Sequence, residues 1–231
     1  MVVPTVKLNN GRTIPIVGLG NWKSKPGEVK QAVVDAITAG YRHIDCAFAY
    51  GNEEEVGAGI KQKIDDGTVT RNDLLITSKL QQGGRSYSTE SEKFGSGLLG
   101  PLPHSLAIGL PRSPDRPWAK PDDPVIFDDP KLKELAQKYN RSPVQIILRF
   151  QTQRGVVAVI PKSVTKERIV QILNCIDFEL TDEDIKYFER FDCNGRVCAL
   201  DWNGIDFCYD LLLNTKDKLK GVLRNARSGL V

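Results

Sequence analysis

No apolar run in this 231-residue chain approaches the roughly 18 residues that a membrane-spanning helix needs, so a membrane protein is not expected. The first twenty residues lack a basic stretch followed by an apolar one; export is therefore not expected, and the expected location is the cytoplasm. Cysteine is sparse and odd in number (Cys46, Cys175, Cys193, Cys198, Cys208), with no C-x-x-C pair. That pattern fits reduced thiols better than a disulfide frame or a zinc site, and no metal is expected. An excess of one charge is also missing. Lys and Arg total 32 against 29 Asp and Glu, a net charge of +3, and the first 200 residues hold no basic cluster, which argues against a nucleic-acid partner. There is no internal repeat and no G-x-G-x-x-G. What is present, 40% hydrophobic and 26% charged residues, is the composition of an ordinary globular protein.

The first eighty residues alternate between strand and helix signals. Asn10-Gly11 between Thr5–Leu8 and Thr13–Ile16 predicts a hairpin, because both turn residues tolerate positive φ. Val17–Gly20 reads as a short strand of small residues. Pro26 suits the first turn of a helix whose Val29, Ala32, Val33, Ala36 and Ile37 follow the 3.6-residue stripe, with Gly40 as its C-terminal cap. Tyr41–Ala47 is a second strand. Asn52 is placed to cap a helix carrying Val56, Ile60 and Ile64 and ended by Gly67. Leu74–Thr77 is a third, continuously apolar strand. Buried strands joined by helices predict a parallel α/β arrangement.

Residues 81–112 differ: fourteen of the 32 are Gly, Ser or Pro, without periodicity, and they read as an irregular connector. Patterning returns afterwards. Asp129-Pro130 opens one helix, and Ser142-Pro143-Val144-Gln145 is a capping box opening another through Gln153, stopped by Gly155. Val156–Ile160 is a fourth buried strand, followed by a helix started by Ser163 or Thr165. Thr181 with Asp184 opens a last helix over residues 182–191. Residues 201–231 are weakly patterned up to a basic stretch (Lys216, Lys218, Lys220, Arg224, Arg227) suited to a short amphipathic helix. The chain is expected to be a single domain, with blocks 5–80 and 113–200 around the connector and 201–231 as a divergent tail.

Functional groups in parallel α/β sheets gather at the C-terminal strand ends. Asp45 ends the second strand, Tyr50 lies just beyond it and Lys79 ends the third. A nearby ammonium lowers the pKa of a phenol, and a carboxylate keeps that ammonium charged and in place, which makes a tyrosine a usable general acid. Singly, Asp45 reads equally as a turn former, Tyr50 as a loop aromatic and Lys79 as a solvated strand-end cation; their joint placement favours chemistry. Lys162, Ser163, Thr165 and Arg168 stand where the fourth strand enters a helix. They suit either a phosphate site or an ordinary capped helix with solvated charges.

These residues resemble the aldo-keto reductases, most closely the aldose and aldehyde reductase branch. Gly40-Tyr41-Arg42-His43-Ile44-Asp45-Cys46-Ala47, then Glu53 and Val56-Gly57, matches the first signature of that family, and Ile160-Pro161-Lys162-Ser163 with Arg168 matches most of the third. Gly18–Lys23, Ser78-Lys79-Leu80, Ser113–Trp118 and Arg196–Leu200 also look like family segments. The resemblance implies a (β/α)8 barrel that reduces aldehydes or ketones to alcohols with NADPH. Carried over, Tyr50 donates the proton, Lys79 lowers its pKa and Asp45 pairs with Lys79. Lys162, Ser163, Val164, Thr165 and Arg168 hold the adenosine 2′-phosphate; Asn21, Lys23, Asp45 and Ser113 also contact the cofactor. Trp22, Phe48 and Trp118 line the substrate pocket with Tyr50, Phe48 replacing the usual histidine.

The chain departs from the family in its middle. Leu80–Arg112 leaves 33 residues where the family carries strands four to seven, and each βαβ unit takes upward of about 30. The family's catalytic histidine segment and its nicotinamide-gripping Asn and Gln have no counterpart; His104 is not in that motif. Ile108–Arg112 replaces a segment with a stacking tyrosine, and Gln171-Ile172 replaces an acidic residue and an asparagine at adenine. The expected architecture is therefore an incomplete barrel with strands ordered 8-1-2-3. The alternatives to a working reductase are a non-catalytic remnant that binds NADPH or a partner subunit, or a misjoined product. The family is usually monomeric, but the open sheet edges of such a barrel suit self-association.

Overall fold

The computed structural model describes residues 3–8, 10–79 and 126–190, with the backbone of Asp201–Trp202 and Ile205–Asp206. Strands β1 (Thr5–Lys7) and β2 (Thr13–Pro15) form the antiparallel hairpin that Asn10-Gly11 predicts, in the register Val6 opposite Ile14. Only Gly11 of that pair has positive φ, at 82°. Leu8 N–H reaches Arg12 O at 2.7 Å, and the Asn10 side chain accepts from Arg12 N–H at 3.0 Å, so the turn spans three residues instead of two.

β3 (Leu19–Gly20), β4 (His43–Asp45) and β5 (Leu75–Thr77) make the predicted parallel sheet in the order β3-β4-β5. Helices α1 (Val29–Ala39) and α2 (Glu53–Asp65) form the crossovers. Gly40, at φ 115°, closes α1 by donating to Ala36 O and Ile37 O. Pro26 lies ahead of α1 and not in its first turn. Gly27, at φ 87°, breaks the chain there, and the first N–H groups are taken by Glu55 of α2, whose carboxylate accepts from Gly27, Val29 and Lys30. β4 is buried on every residue. β5 is only half-buried, because β4 is its one paired neighbour among the described residues.

The expected fourth strand is reduced to two parallel bridges, Val17–Val159 and Gly20–Lys162, with Gly18 N–H donating to Val159 O at 2.8 Å and Gly20 N–H to Pro161 O at 3.0 Å. Of residues 156–160 only Val159 is buried. This segment lies on the open side of β3, so the described order runs 156–162, β3, β4, β5, the neighbour relations expected from the sequence. Pro161 has no N–H to donate, which breaks a continuous ladder.

Helices α3 (Pro130–Lys138), α4 (Pro143–Gln153), α5 (Lys166–Leu173) and α6 (Asp182–Glu189) follow. Asp129 caps α3, and the capping boxes Ser142/Gln145 and Thr181/Asp184 open α4 and α6 as their sequences require. Thr165 occupies the N-cap of α5 without a side-chain bond; Ser163 Oγ instead accepts from Thr165 N–H at 3.3 Å. α1 packs on β3 and β4 through Val29, Val33, Ala36 and Ile37. The same core includes Leu148, Val159, Ile169 and Leu173 from the second half of the chain. Each valine, leucine or isoleucine among them contributes about 1.5–3 kcal/mol on burial. Tyr41 O–H donates to Ile169 O at 2.9 Å, which fixes α5 against the sheet. A second cluster joins α3, α4 and α6 around Leu135, Ile146, Phe150 and Phe188.

β6 (Asp201–Trp202) pairs antiparallel with β7 (Ile205–Asp206). This hairpin is not among the elements expected above, although Asn203-Gly204 between the two strands is the same signal as Asn10-Gly11. The connector 81–112 and the basic stretch after residue 215 lie outside the described residues.

Candidate active site

The site is built on one row across the sheet: Lys162 beside Gly20, Gly20 beside Asp45, and Asp45 beside Thr77. Glycine is required at residue 20, since a Cβ there would sit 2.4 Å from Ile160 O. Alternation puts Gly18, Gly20, His43, Asp45 and Thr77 on the face away from α1. His43 Nε2 meets Thr77 Oγ1 at 3.0 Å on that face, and a Cβ at Gly18 would touch the His43 ring.

Beyond the row the β4-β5 pairing continues, with Cys46 N–H donating to Thr77 O and Phe48 N–H to Lys79 O at 3.0 Å. That register carries Lys79 to the end of β4. There a 3₁₀ turn, Phe48–Tyr50, closed by Gly51 at φ 64°, returns Tyr50 over Asp45. Asp45, Tyr50 and Lys79 therefore meet as expected. Lys79 Nζ lies 2.6 Å from Asp45 Oδ1 and donates to Cys46 O at 2.9 Å. Tyr50 O–H donates to Asp45 Oδ2 at 3.3 Å, and Lys79 Nζ sits 4.9 Å from the Tyr50 ring centre.

The electrostatic balance differs from the sequence expectation. Burial pushes the Tyr50 phenol above its ordinary value. The Lys79 ammonium pulls it down, as expected, but the Asp45 carboxylate adds to the upward push, and the net direction is up. Burial alone would lower Lys79, yet Asp45 and Tyr50 together hold it above an ordinary lysine. Burial pushes the Cys46 thiol up to about 11, so it remains a thiol at neutral pH.

Asn21 is buried and donates from Nδ2 to Asp45 O at 2.8 Å. Trp22 is 39% exposed with its ring centre 6.5 Å from that of Tyr50, and Phe48 is 58% exposed. Lys23 takes a left-handed φ of 58°, uncommon for a residue with a side chain, and its Nζ lies 4.9 Å from the Trp22 ring centre. At the other end of the row Lys162, Thr165 and Arg168 are exposed around the start of α5, Ser163 is buried and Val164 half-buried. Neighbouring strands lie about 4.8 Å apart, so Lys162 stands roughly 10 Å from Asp45. Ser113 and Trp118 lie outside the described residues.

Two residues of the site, His43 and the donating Asn52, are not among those expected from the sequence. Asn52 sits at the N-cap of α2 but makes no cap bond; its side chain donates to Asn21 O at 3.1 Å. The period-two offset from Asp45 was the available signal for His43. For Asn52 there was none, because its partner is 31 residues away.

Parallel strands crossed over by helices, with ionisable and aromatic groups collected at the carboxyl edge, define the class: an α/β protein with a strand-end site. Residues 16–95 and 127–192 match the model of the aldo/keto reductase family. The chain is similar to aldo-keto reductase family 1 member A1-A of Danio rerio, 31% identical, over 83% of this chain and 90% of that protein. It is also similar to the human family 1 member A1, 29% identical over 85% and 91%. Among solved structures it is similar to an aldo-keto reductase of Bombyx mori in complex with NADP. That likeness has 28% identity and a TM-score of 0.67, covering 86% of this chain and 95% of that one. The chain belongs to the aldo/keto reductase family, oxidoreductases built on a (β/α)8 barrel.

Proposed function

We propose that this chain reduces aldehydes or ketones to alcohols with NADPH. The observation that carries the reading is one buried carboxylate, that of Asp45, holding both Lys79 and Tyr50 where Trp22 and Phe48 are exposed. NADPH, when bound, supplies the hydride that adds to the carbonyl carbon. Tyr50 supplies the proton to the carbonyl oxygen, so the C=O π bond is replaced by one C–H and one O–H bond. A raised pKa keeps Tyr50 protonated at neutral pH. Its O–H must swing from Asp45 to the substrate oxygen, and Lys79, held charged by Asp45, stabilises the phenolate left behind.

The residues at α5 fit a phosphate. Among the described residues Lys162, Lys166 and Arg168 have no carboxylate partner, and they stand at the start of α5, the helix end that favours an anion. Lys162, Ser163, Val164, Thr165 and Arg168 would hold the 2′-phosphate; Asn21, Lys23 and Ser113 would contact the cofactor nearer the nicotinamide. Trp22, Phe48 and Trp118 would line the carbonyl pocket. The testing assay is NADPH oxidation with a reactive aromatic aldehyde. The wild-type chain should turn over and Tyr50→Phe should lose at least about 100-fold. Equal silence of both chains rejects the reading.

A second reading has its own support. The Danio rerio match runs over 294 positions yet takes in only 83% of this 231-residue chain, which favours an incomplete barrel retaining strands one, two, three and eight. A remnant of that kind would bind nucleotide without turnover. NADPH should then raise the melting temperature of a chain that is inactive. Neither turnover nor a melting shift would leave a misjoined product, which peptide mass spectrometry across residues 78–115 and full-length transcript sequencing would resolve.

A further inference from the structure

We infer that Asn52 is a positioning residue that sets the Trp22 side of the site against Tyr50. The loop leaving β3 reaches the mouth with an uncommon left-handed backbone at Lys23, a conformation that persists only where its surroundings over-determine it. The carbonyl of Asn21 is the anchor. It accepts from Ser24 N–H at 3.2 Å within the loop and from Asn52 Nδ2 at 3.1 Å across from α2, while Asn21 Nδ2 donates to Asp45 O at 2.8 Å. Asn52 and Asn21, 6% and 2% exposed, thus form a buried relay from the helix after Tyr50, through the loop of Trp22, to the strand of Asp45. Trp22 and Tyr50 are the two aromatic rings this relay holds 6.5 Å apart.

The position of Asn52 makes its choice informative. An N-cap residue normally uses a side-chain oxygen to accept a helix N–H. Asn52 Oδ1 accepts no hydrogen bond among the described residues, and the amide is oriented by the Asn21 carbonyl, since turning it over would set oxygen against oxygen. Capping is given up in favour of donation. Aspartate is nearly isosteric and an equal or better cap, and its charge suits a helix N-terminus, but it cannot donate.

The inference rests on the reductase reading for its kinetic consequence alone; its structural consequence is independent of turnover. The test labels the full chain with 5-fluorotryptophan and follows the Trp22 resonance by fluorine NMR, assigned with Trp22→Phe. Asn52→Asp and Asn52→Ser keep a cap acceptor and lose the amide donor. Both should shift or broaden the Trp22 resonance, and Asn52→Asp should melt below wild type. In an active chain the KM for the aldehyde should rise at least tenfold with kcat changed less than threefold. A Trp22 resonance unmoved in both variants overturns the inference, as does an Asn52→Asp chain that melts at or above wild type. If Asn52→Asp does not fold, the Trp22 resonance of Asn52→Ser decides. A chain silent in the Tyr50→Phe comparison fails as a reductase without touching this result.

Discussion

Asp45 and Lys79 form an asymmetric pair: the carboxylate side chain is 4% exposed, the lysine 49%, and their charged atoms are 2.6 Å apart. The buried partner depends on the exposed one. Lys79→Met should therefore destabilise the chain by about 1–3 kcal/mol, the cost of leaving a buried polar group without its charged partner, read as a fall in melting temperature. Asp45→Asn removes the anion and should let Lys79 move off Tyr50. Both variants should slow carbonyl reduction at least tenfold. Unchanged rates in either variant would detach this pair from the chemistry.

Gly20 and Gly57 make a matched test of local space. A Cβ at Gly20 would lie 2.4 Å from Ile160 O, whereas one at Gly57 on α2 meets nothing within 4 Å. Gly20→Ala should cost about 1–3 kcal/mol by prising segment 156–162 off β3. Gly57→Ala should stabilise by about 0.5–1 kcal/mol through helix propensity. Thermal melts of the two variants, moving in opposite directions, check the close approach that aligns Lys162 with Asp45.

His43 gives the fold an acid sensitivity. Burial, opposed in part by Asp45, holds its pKa below the ordinary 6.5. As pH falls, the unfolded chain takes up the proton first. The stability His43 contributes is thus complete above 6.5 and is lost as pH falls from there through the folded value. Melting temperature should decline from pH 7 to 5, a window above the titration of Asp66, which is held to about 2. His43→Gln should flatten that decline; an unaltered slope would assign it to other groups.

Tyr50 acts at the other end of the scale. Its raised pKa means the unfolded chain loses the phenolic proton first as pH climbs past about 10. Stability is present below that point and falls above it, and Tyr50→Phe should lessen the fall. Melts at pH 9 and 11 measure the difference.

Replacing Lys162 and Arg168 together with alanine should weaken NADPH at least tenfold while changing NADH less than threefold, because the 2′-phosphate is the group that differs. Nucleotide-dependent melting shifts give both affinities. Equal losses for the two nucleotides would move these cations away from the 2′-phosphate.

Most of the local structure was legible because its causes are local. The capping boxes at Ser142 and Thr181, the proline after Asp129 and the glycine after α1 act within one helical turn, and each appears where its residues place it. Asp45, Tyr50 and Lys79 were legible for a related reason: strand ends and the parallel register are set by short apolar runs, and the three residues fall at those ends. The exceptions have distant partners. Glu55 displaced Pro26 as the organiser of the start of α1, and Asn52 turned from its own helix to Asn21. Both choices depend on backbone groups more than twenty residues away.

The linear chain thus specified where most helices begin and stop, the parallel α/β class and the identity of the strand-end triad, because propensity, capping and apolar period are properties of neighbouring residues. Folding in three dimensions settled the balance of charge on Tyr50, the bridges that replace a full strand at Val159, and the hold of Asn52 on the Trp22 loop. Desolvation and long-range donor–acceptor pairing are summed over everything that packs around a group, and no stretch of sequence carries that sum.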